Sequence, residues 1–156
     1  MTLGTINTTN TTKFQEDLKF GNSYEIKSLQ YLKYDTYEIK KGYFKQYDIL
    51  LDNTTKVEVK AEKMAGITGN IAIEYSCSGR PSGILTTECD IWVHFIVYDA
   101  YDECYCIPIN DLRNIVRNTR SVRGGDGMRS QMYLVNKSLI QNYLTEKINK
   151  EIKEYI

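Results

Sequence analysis

The 156 residues fit a single domain with one core of ordinary size, and no Pro-, Gly- or Ser-rich linker or internal repeat divides them. No apolar run is long enough to cross a membrane, and the N-terminus lacks the basic start and apolar block of a secretory signal. A soluble, intracellular protein, cytoplasmic or nucleoid/nuclear, is therefore expected. With 20 basic and 20 acidic residues the net charge is zero, so any affinity for a polyanion must come from how the charge is distributed.

Residues 1–12, dominated by Thr and Asn, hold too little apolar content to fold and are expected to form a disordered tail before a single domain at 13–156. From Lys13 to about Tyr34, the residues Phe14, Leu18, Gly21, Glu25, Leu29 and Leu32 recur at steps of three and four and predict a helix. Glu25 interrupts that apolar stripe. A carboxylate on a core-facing stripe is costly unless something pairs with it, or unless it lies at the stripe's edge and reaches water. A first strand is predicted over Thr36 to Lys41, ended by Gly42.

The most informative stretch runs from Asp48 to Glu62. Two alternating segments, Tyr47-Asp48-Ile49-Leu50-Leu51 and Lys56-Val57-Glu58-Val59-Lys60-Ala61-Glu62, flank a polar turn and predict a β-hairpin. On its second strand Val57, Val59 and Ala61 face one way and Glu58, Lys60 and Glu62 the other. A three-residue loop, Asp52-Asn53-Thr54, keeps the apolar residues of both strands on one side and brings Asp48 opposite Glu58, with Cβ atoms about 4.5–5.5 Å apart. A two-residue loop would instead oppose Asp48 to Val59. Two carboxylates so close repel one another unless a cation sits between them, and a hard divalent ion suits them.

Lys63 to Gly69 reads as a loop and Asn70 to Ser76 as a strand, with Ala72, Glu74 and Ser76 on one face. Glu74 can extend the acidic cluster, hold a metal-bound water from behind, or pair with a lysine. Cys77 to Ile84 has turn chemistry, and Ser78, Arg80 and Ser82 there can donate to phosphate oxygens, although an ordinary turn reads the same way. Thr86 and Thr87 can cap a short helix running to Asp90. The apolar Ile91 to Val97 predicts a central strand holding the sole histidine, His94, which reads as a core residue. Tyr105 to Ile109 reads as a strand that Pro108 places at an edge or strand end.

Asn110 or Asp111 can cap a helix through about Asn118, Gln131 to Val135 suggests a short strand, and Ile140, Leu144, Ile148 and Ile152 predict a C-terminal amphipathic helix. That last element either closes the core or pairs with a second copy. The four cysteines, Cys77, Cys89, Cys104 and Cys106, lack zinc-type C-x-x-C pairs and read as reduced. Five of the six arginines, Arg113, Arg117, Arg120, Arg123 and Arg129, fall in one segment with no lysine and one acid, Asp126. Such a locally basic surface is compatible with phosphate binding, as it is with a plain exposed charged face.

Asp48 followed by Glu58-x-Lys60 on adjoining strands resembles the PD-(D/E)XK nuclease superfamily, which includes restriction endonucleases and archaeal-type Holliday junction resolvases. Tyr47 stands where the motif's name places proline. The resemblance spans about residues 13 to 109. It implies an α/β fold, a restriction-endonuclease-like αβββαβ core with a mixed central sheet flanked by helices, here with a C-terminal helical addition. It further implies a Mg²⁺-dependent endonuclease, with Mn²⁺ as a substitute, acting on DNA phosphodiester bonds. Asp48, Glu58, the backbone carbonyl of Val59 and the first-helix Glu25 would be metal ligands, Lys60 would position the attacking water, and Glu74 would lie behind them. Arg80, Ser78, Ser82, Arg113, Arg117, Arg120 and Arg123 are the expected DNA contacts. By analogy with small resolvases, the expected substrate is branched or Holliday junction DNA in recombination, cut by a homodimer. Sequence-specific restriction- or transposase-type cleavage, and a non-catalytic nucleic-acid-binding protein on the same scaffold, are the alternatives.

Overall fold

The computed structural model describes residues 23–42, 46–63 and 65–149. The predicted tail at 1–12, the start of the first helix with Phe14, Leu18 and Gly21, and Ile152 lie outside them. Two sheets form the molecule. Sheet A has six strands in the order β1 (Tyr37–Ile39), β2 (Ile49–Leu51), β3 (Thr55–Glu62), β6 (Ile91–Val97), β7 (Tyr101–Pro108) and β10 (Leu144–Asn149). Sheet B has four, in the order β5 (Arg80–Pro81), β4 (Asn70–Cys77), β9 (Ser130–Asn136) and β8 (Ser121–Gly124). All neighbours are antiparallel except β3 and β6, so the chain is α/β with a mixed sheet.

The alternation of β3 sorts its two faces. Val57 and Val59 join Ile49, Leu51, Val93, Phe95 and Cys104 in one apolar layer, covered by the first helix α1 (23–28) through Tyr24, whose ring lies 4.9 Å from Phe95. On the other face Trp92, Ile96, Tyr105 and Ile107 meet Ile71, Ile73 and Val135 of sheet B. Helix α3 (Ile109–Val116) closes that second layer with Ile109, Leu112 and Val116. Strand β6 is apolar throughout because both its faces are covered, and Trp92 to Val97 are all buried. Sheet A is thus the middle of three layers.

Several expectations are corrected. The C-terminal period-four pattern forms two 3-10 turns, Lys137–Leu139 and Gln141–Tyr143, and then strand β10, not a helix over the described residues. A spacing of four is also twice the strand period, so Ile140 and Leu144 can serve either state, and pairing with β7 selects the strand. The first helix ends well before Tyr34, passing into a 3-10 turn at Leu29–Tyr31. Thr86 and Thr87 cap no helix; a 3-10 turn at Gly83–Leu85 precedes them, and Thr87 spends its hydroxyl on the carbonyl of Gln46.

Within Lys63 to Gly69 lies one helical turn, α2 (Ala65–Thr68). Strand β7 begins four residues earlier than predicted and lies inside sheet A, with Pro108 at its end. Asn110 and Asp111 sit within the first turn of α3, where Asp111 accepts the Tyr143 hydroxyl. The segment before the glycine-rich loop forms β8, paired to β9. Among the described residues no helix is long and apolar enough to cross a membrane.

Candidate active site

The hairpin that carries the motif has the three-residue loop. Leu51 pairs with Thr55 and Ile49 with Val57. Asp52 and Asn53 adopt left-handed conformations, φ 51° and 58°, which Asp and Asn tolerate better than other side chains. Beyond Ile49, Asp48 comes alongside Glu58: its amide donates to the Val57 carbonyl at 2.8 Å, and its Oδ2 accepts the Val59 amide at 2.7 Å. Contacts to residues on either side of Glu58 fix this carboxylate, which is 5% exposed.

Glu58 and Lys60 leave β3 on the face that looks toward sheet B. Lys60 Nζ lies 3.2 Å from Glu58 Oε1, with Glu58 only 13% exposed and Lys60 46%. Desolvation alone would lower the lysine's pKa, but the negative charges of Glu58, Asp48 and Glu74 together outweigh it and raise it. Three carboxylates from two sheets thus act on one ammonium. Glu74 is itself held, accepting Ser82 Oγ at 3.0 Å and Ser130 Oγ at 2.5 Å.

The predicted common face of Ala72, Glu74 and Ser76 is broken. A register shift between Glu74 and Ser76 leaves Glu74 opposite Met132 and Ser76 opposite Gln131, so Ser76 points the other way and donates to Gln131 at 2.7 Å. Strict alternation cannot anticipate a bulge, which inserts one unpaired residue.

Glu62, next on the same face of β3, serves structure. It accepts the Ala72 amide at 3.1 Å and lies 2.8 Å from His94 Nε2. His94 Nδ1 accepts the Trp92 indole N–H at 3.1 Å. An indole can only donate, so the imidazole hydrogen sits on Nε2 and goes to Glu62. His94, 1% exposed, is therefore a satisfied core residue.

Sequence reasoning missed Cys89. Burial pushes this thiol up to about 11; Thr87 opposes the rise through a hydrogen bond, Glu58 adds to it through its charge, and the Glu58 backbone and Arg113 counter it. The same interactions place Cys89 beside Glu58 and show the Arg113 charge reaching the site. No pattern in the sequence signals this, because Cys89 lies 31 positions from Glu58 and meets it only through the fold.

Glu25 is buried on α1, which packs against the opposite face of sheet A through Tyr24. Arg80, Arg113, Arg117, Arg120, Arg123 and Ser78 are exposed. Ser78 and Arg129 bring the β4–β5 and β8–β9 turns together, the Ser78 amide donating to the Arg129 carbonyl at 2.9 Å.

The oxygen donors Asp48 and Glu58 suit Mg²⁺ or Mn²⁺. Mg²⁺ retains several waters and is usually held by one or two carboxylates plus phosphate oxygens. Among the described residues no group of three or more His, Cys, Asp or Glu side chains is assembled around a metal position. Compared with known proteins, the chain matches no family model and no curated sequence.

Proposed function

We propose that this protein is a Mg²⁺-dependent endonuclease that hydrolyses DNA phosphodiester bonds, with branched DNA as the favoured substrate and a restriction-endonuclease-like core as its scaffold. The observation that carries the reading is the Lys60 ammonium held on Glu58 within the field of Asp48 and Glu74. Asp48 and Glu58 would hold the ion, with the Val59 carbonyl and Glu25 as further ligands in the proposal. A bound divalent ion supplies Lewis acidity toward a phosphoryl oxygen and lowers the pKa of a coordinated water.

The chain's own groups do the rest. The raised pKa keeps Lys60 protonated at neutral pH, so it acts as a donor that orients a water and opposes charge growing on the phosphate, not as a base. Asp48, tied to the Val59 amide, keeps one carboxylate fixed in place. Glu74, clamped by two serines, holds the far side of the lysine's surroundings. Arg113, whose charge already reaches Cys89 beside Glu58, leads the exposed arginines proposed to contact the DNA backbone, with Arg80, Arg117, Arg120, Arg123, Ser78 and Ser82. A homodimer would supply the two sites that cutting two strands requires.

The test is incubation with a four-way junction, a linear duplex and a single strand, each in Mg²⁺ or EDTA. Cutting is expected only with Mg²⁺, and Lys60→Ala should slow it by about 10²-fold or more while DNA binding persists. Undiminished cutting by that variant sinks the assigned role. A Mn²⁺ titration that perturbs the wild type but not Asp48→Ala separates the enzyme from a non-catalytic binding protein.

A further inference from the structure

At the carboxyl ends of the parallel strands β3 and β6 lies a cleft of about 500 Å³, lined by Tyr24 of α1, Gly66 and Ile67 of α2, Lys63, and Tyr98 with Asp99 just past β6. Its two aromatic walls are anchored by neighbouring buried acids of one strand. Asp102 of β7, 1% exposed, accepts the Tyr24 hydroxyl at 3.2 Å. Glu103, 3% exposed and on the other face of the sheet, accepts the Tyr98 hydroxyl at 2.7 Å. Lys137 reaches that same tyrosine oxygen and Glu103, each at 2.7 Å. Tyr101 stacks on the Tyr98 ring with centroids 4.6 Å apart.

Two adjacent buried carboxylates are costly to a fold unless they are hydrogen-bonded. Here each secures a phenol whose ring borders one cleft, so the rings are set before any ligand arrives. Gly66 helps keep the space: a Cβ there would stand 2.9 Å from the Tyr98 ring. Fixed aromatic faces beside an ammonium are the parts of a platform for an unstacked base and its phosphate. Lys63 lies three residues past Lys60, about 10 Å along the strand direction, which is about three base steps of B-form rise.

We infer that this cleft is a subsite for one unstacked nucleotide of a DNA strand, with the base against the tyrosine rings and the phosphate toward Lys63. The choice of DNA rests on the nuclease reading above. The subsite would favour substrates with unpaired nucleotides near the cut, as branched DNA has, over an intact duplex.

The test uses the full chain in EDTA, titrated with a fluorescent single-stranded oligodeoxynucleotide, its blunt duplex and the matching ribonucleotide strand. Tyr98→Leu and Ile67→Glu are expected to weaken binding of the DNA single strand about tenfold, leave duplex affinity unchanged, and differ in this from Lys60→Ala, which keeps it. Ile67 is 81% exposed, so its variant folds even if Tyr98→Leu does not. Equal single-strand affinity of Ile67→Glu and wild type overturns the subsite, and tighter binding of the ribonucleotide strand overturns its assignment to DNA. The expected binding pattern without cutting in Mg²⁺ would remove the nuclease and leave the subsite. Cutting by Ile67→Glu with wild-type kcat and KM on branched DNA would do the reverse.

Discussion

Lys60 carries its charge despite partial desolvation because three acids surround it, and this has a consequence for alkaline stability. Its folded pKa lies above the ordinary 10.5, so the stabilisation from its pairing is fully present below that value and is lost as pH rises through the folded pKa. The stability difference between wild type and Lys60→Met should therefore stay constant from about pH 8 to 10 and shrink only above, as read by urea unfolding at each pH. A difference already shrinking below pH 10.5 would contradict the direction of the shift. The residue types of the site, Asp48, Glu58 and Lys60, were legible in the sequence because a polar set alternating with valines is a surface or a site, not a core. Cys89, and the serines that hold Glu74, were not, since a cysteine or serine has no periodicity of its own.

At the scale of elements, the hairpin loop sets whether the site exists. Its three residues place Asp48 alongside Glu58, and a one-residue change of register moves every side chain of a strand to the other face. Deleting Asn53 should leave a folded protein with near-wild-type circular dichroism while abolishing both Mn²⁺ binding and cleavage. Retained metal binding in that deletion would show that Asp48 and Glu58 need not be neighbours. The 3-10 turn after β5 gives a second prediction. Gly83 has φ +52°, and a Cβ there would meet the Glu74 carbonyl oxygen at 2.1 Å. Gly83→Ala is expected to cost about 2–3 kcal/mol or more, seen as a lower urea midpoint with an unchanged slope.

Across the whole molecule, the two sheets are joined by packing and by one polar network. Glu62 of sheet A accepts from Ala72 of sheet B and from His94, which in turn accepts from Trp92. Removing the carboxylate leaves a buried imidazole N–H and a strand amide without their acceptor. Glu62→Ala should lower unfolding stability by about 2–4 kcal/mol, whereas Glu62→Gln, which retains an acceptor oxygen, should lose less. An equal loss for both would place the contribution in charge and not in hydrogen bonding. The network lies two residues beyond Lys60 on the same strand face, so weakening it should reduce kcat more than KM.

By itself the sequence determined the hairpin, the apolar central strand, the helix after Pro108 and the face on which Glu58 and Lys60 stand, because local alternation and turn chemistry act over a few residues. Only the tertiary structure decided that the chain splits into two sheets, that β3 and β6 run parallel, and that the C-terminal pattern becomes a strand. Those outcomes depend on which distant segments bury one another. A spacing of four fits both periods, a bulge leaves no periodic trace, and the meeting of Glu74 with Lys60 is a contact between layers that no window of sequence contains.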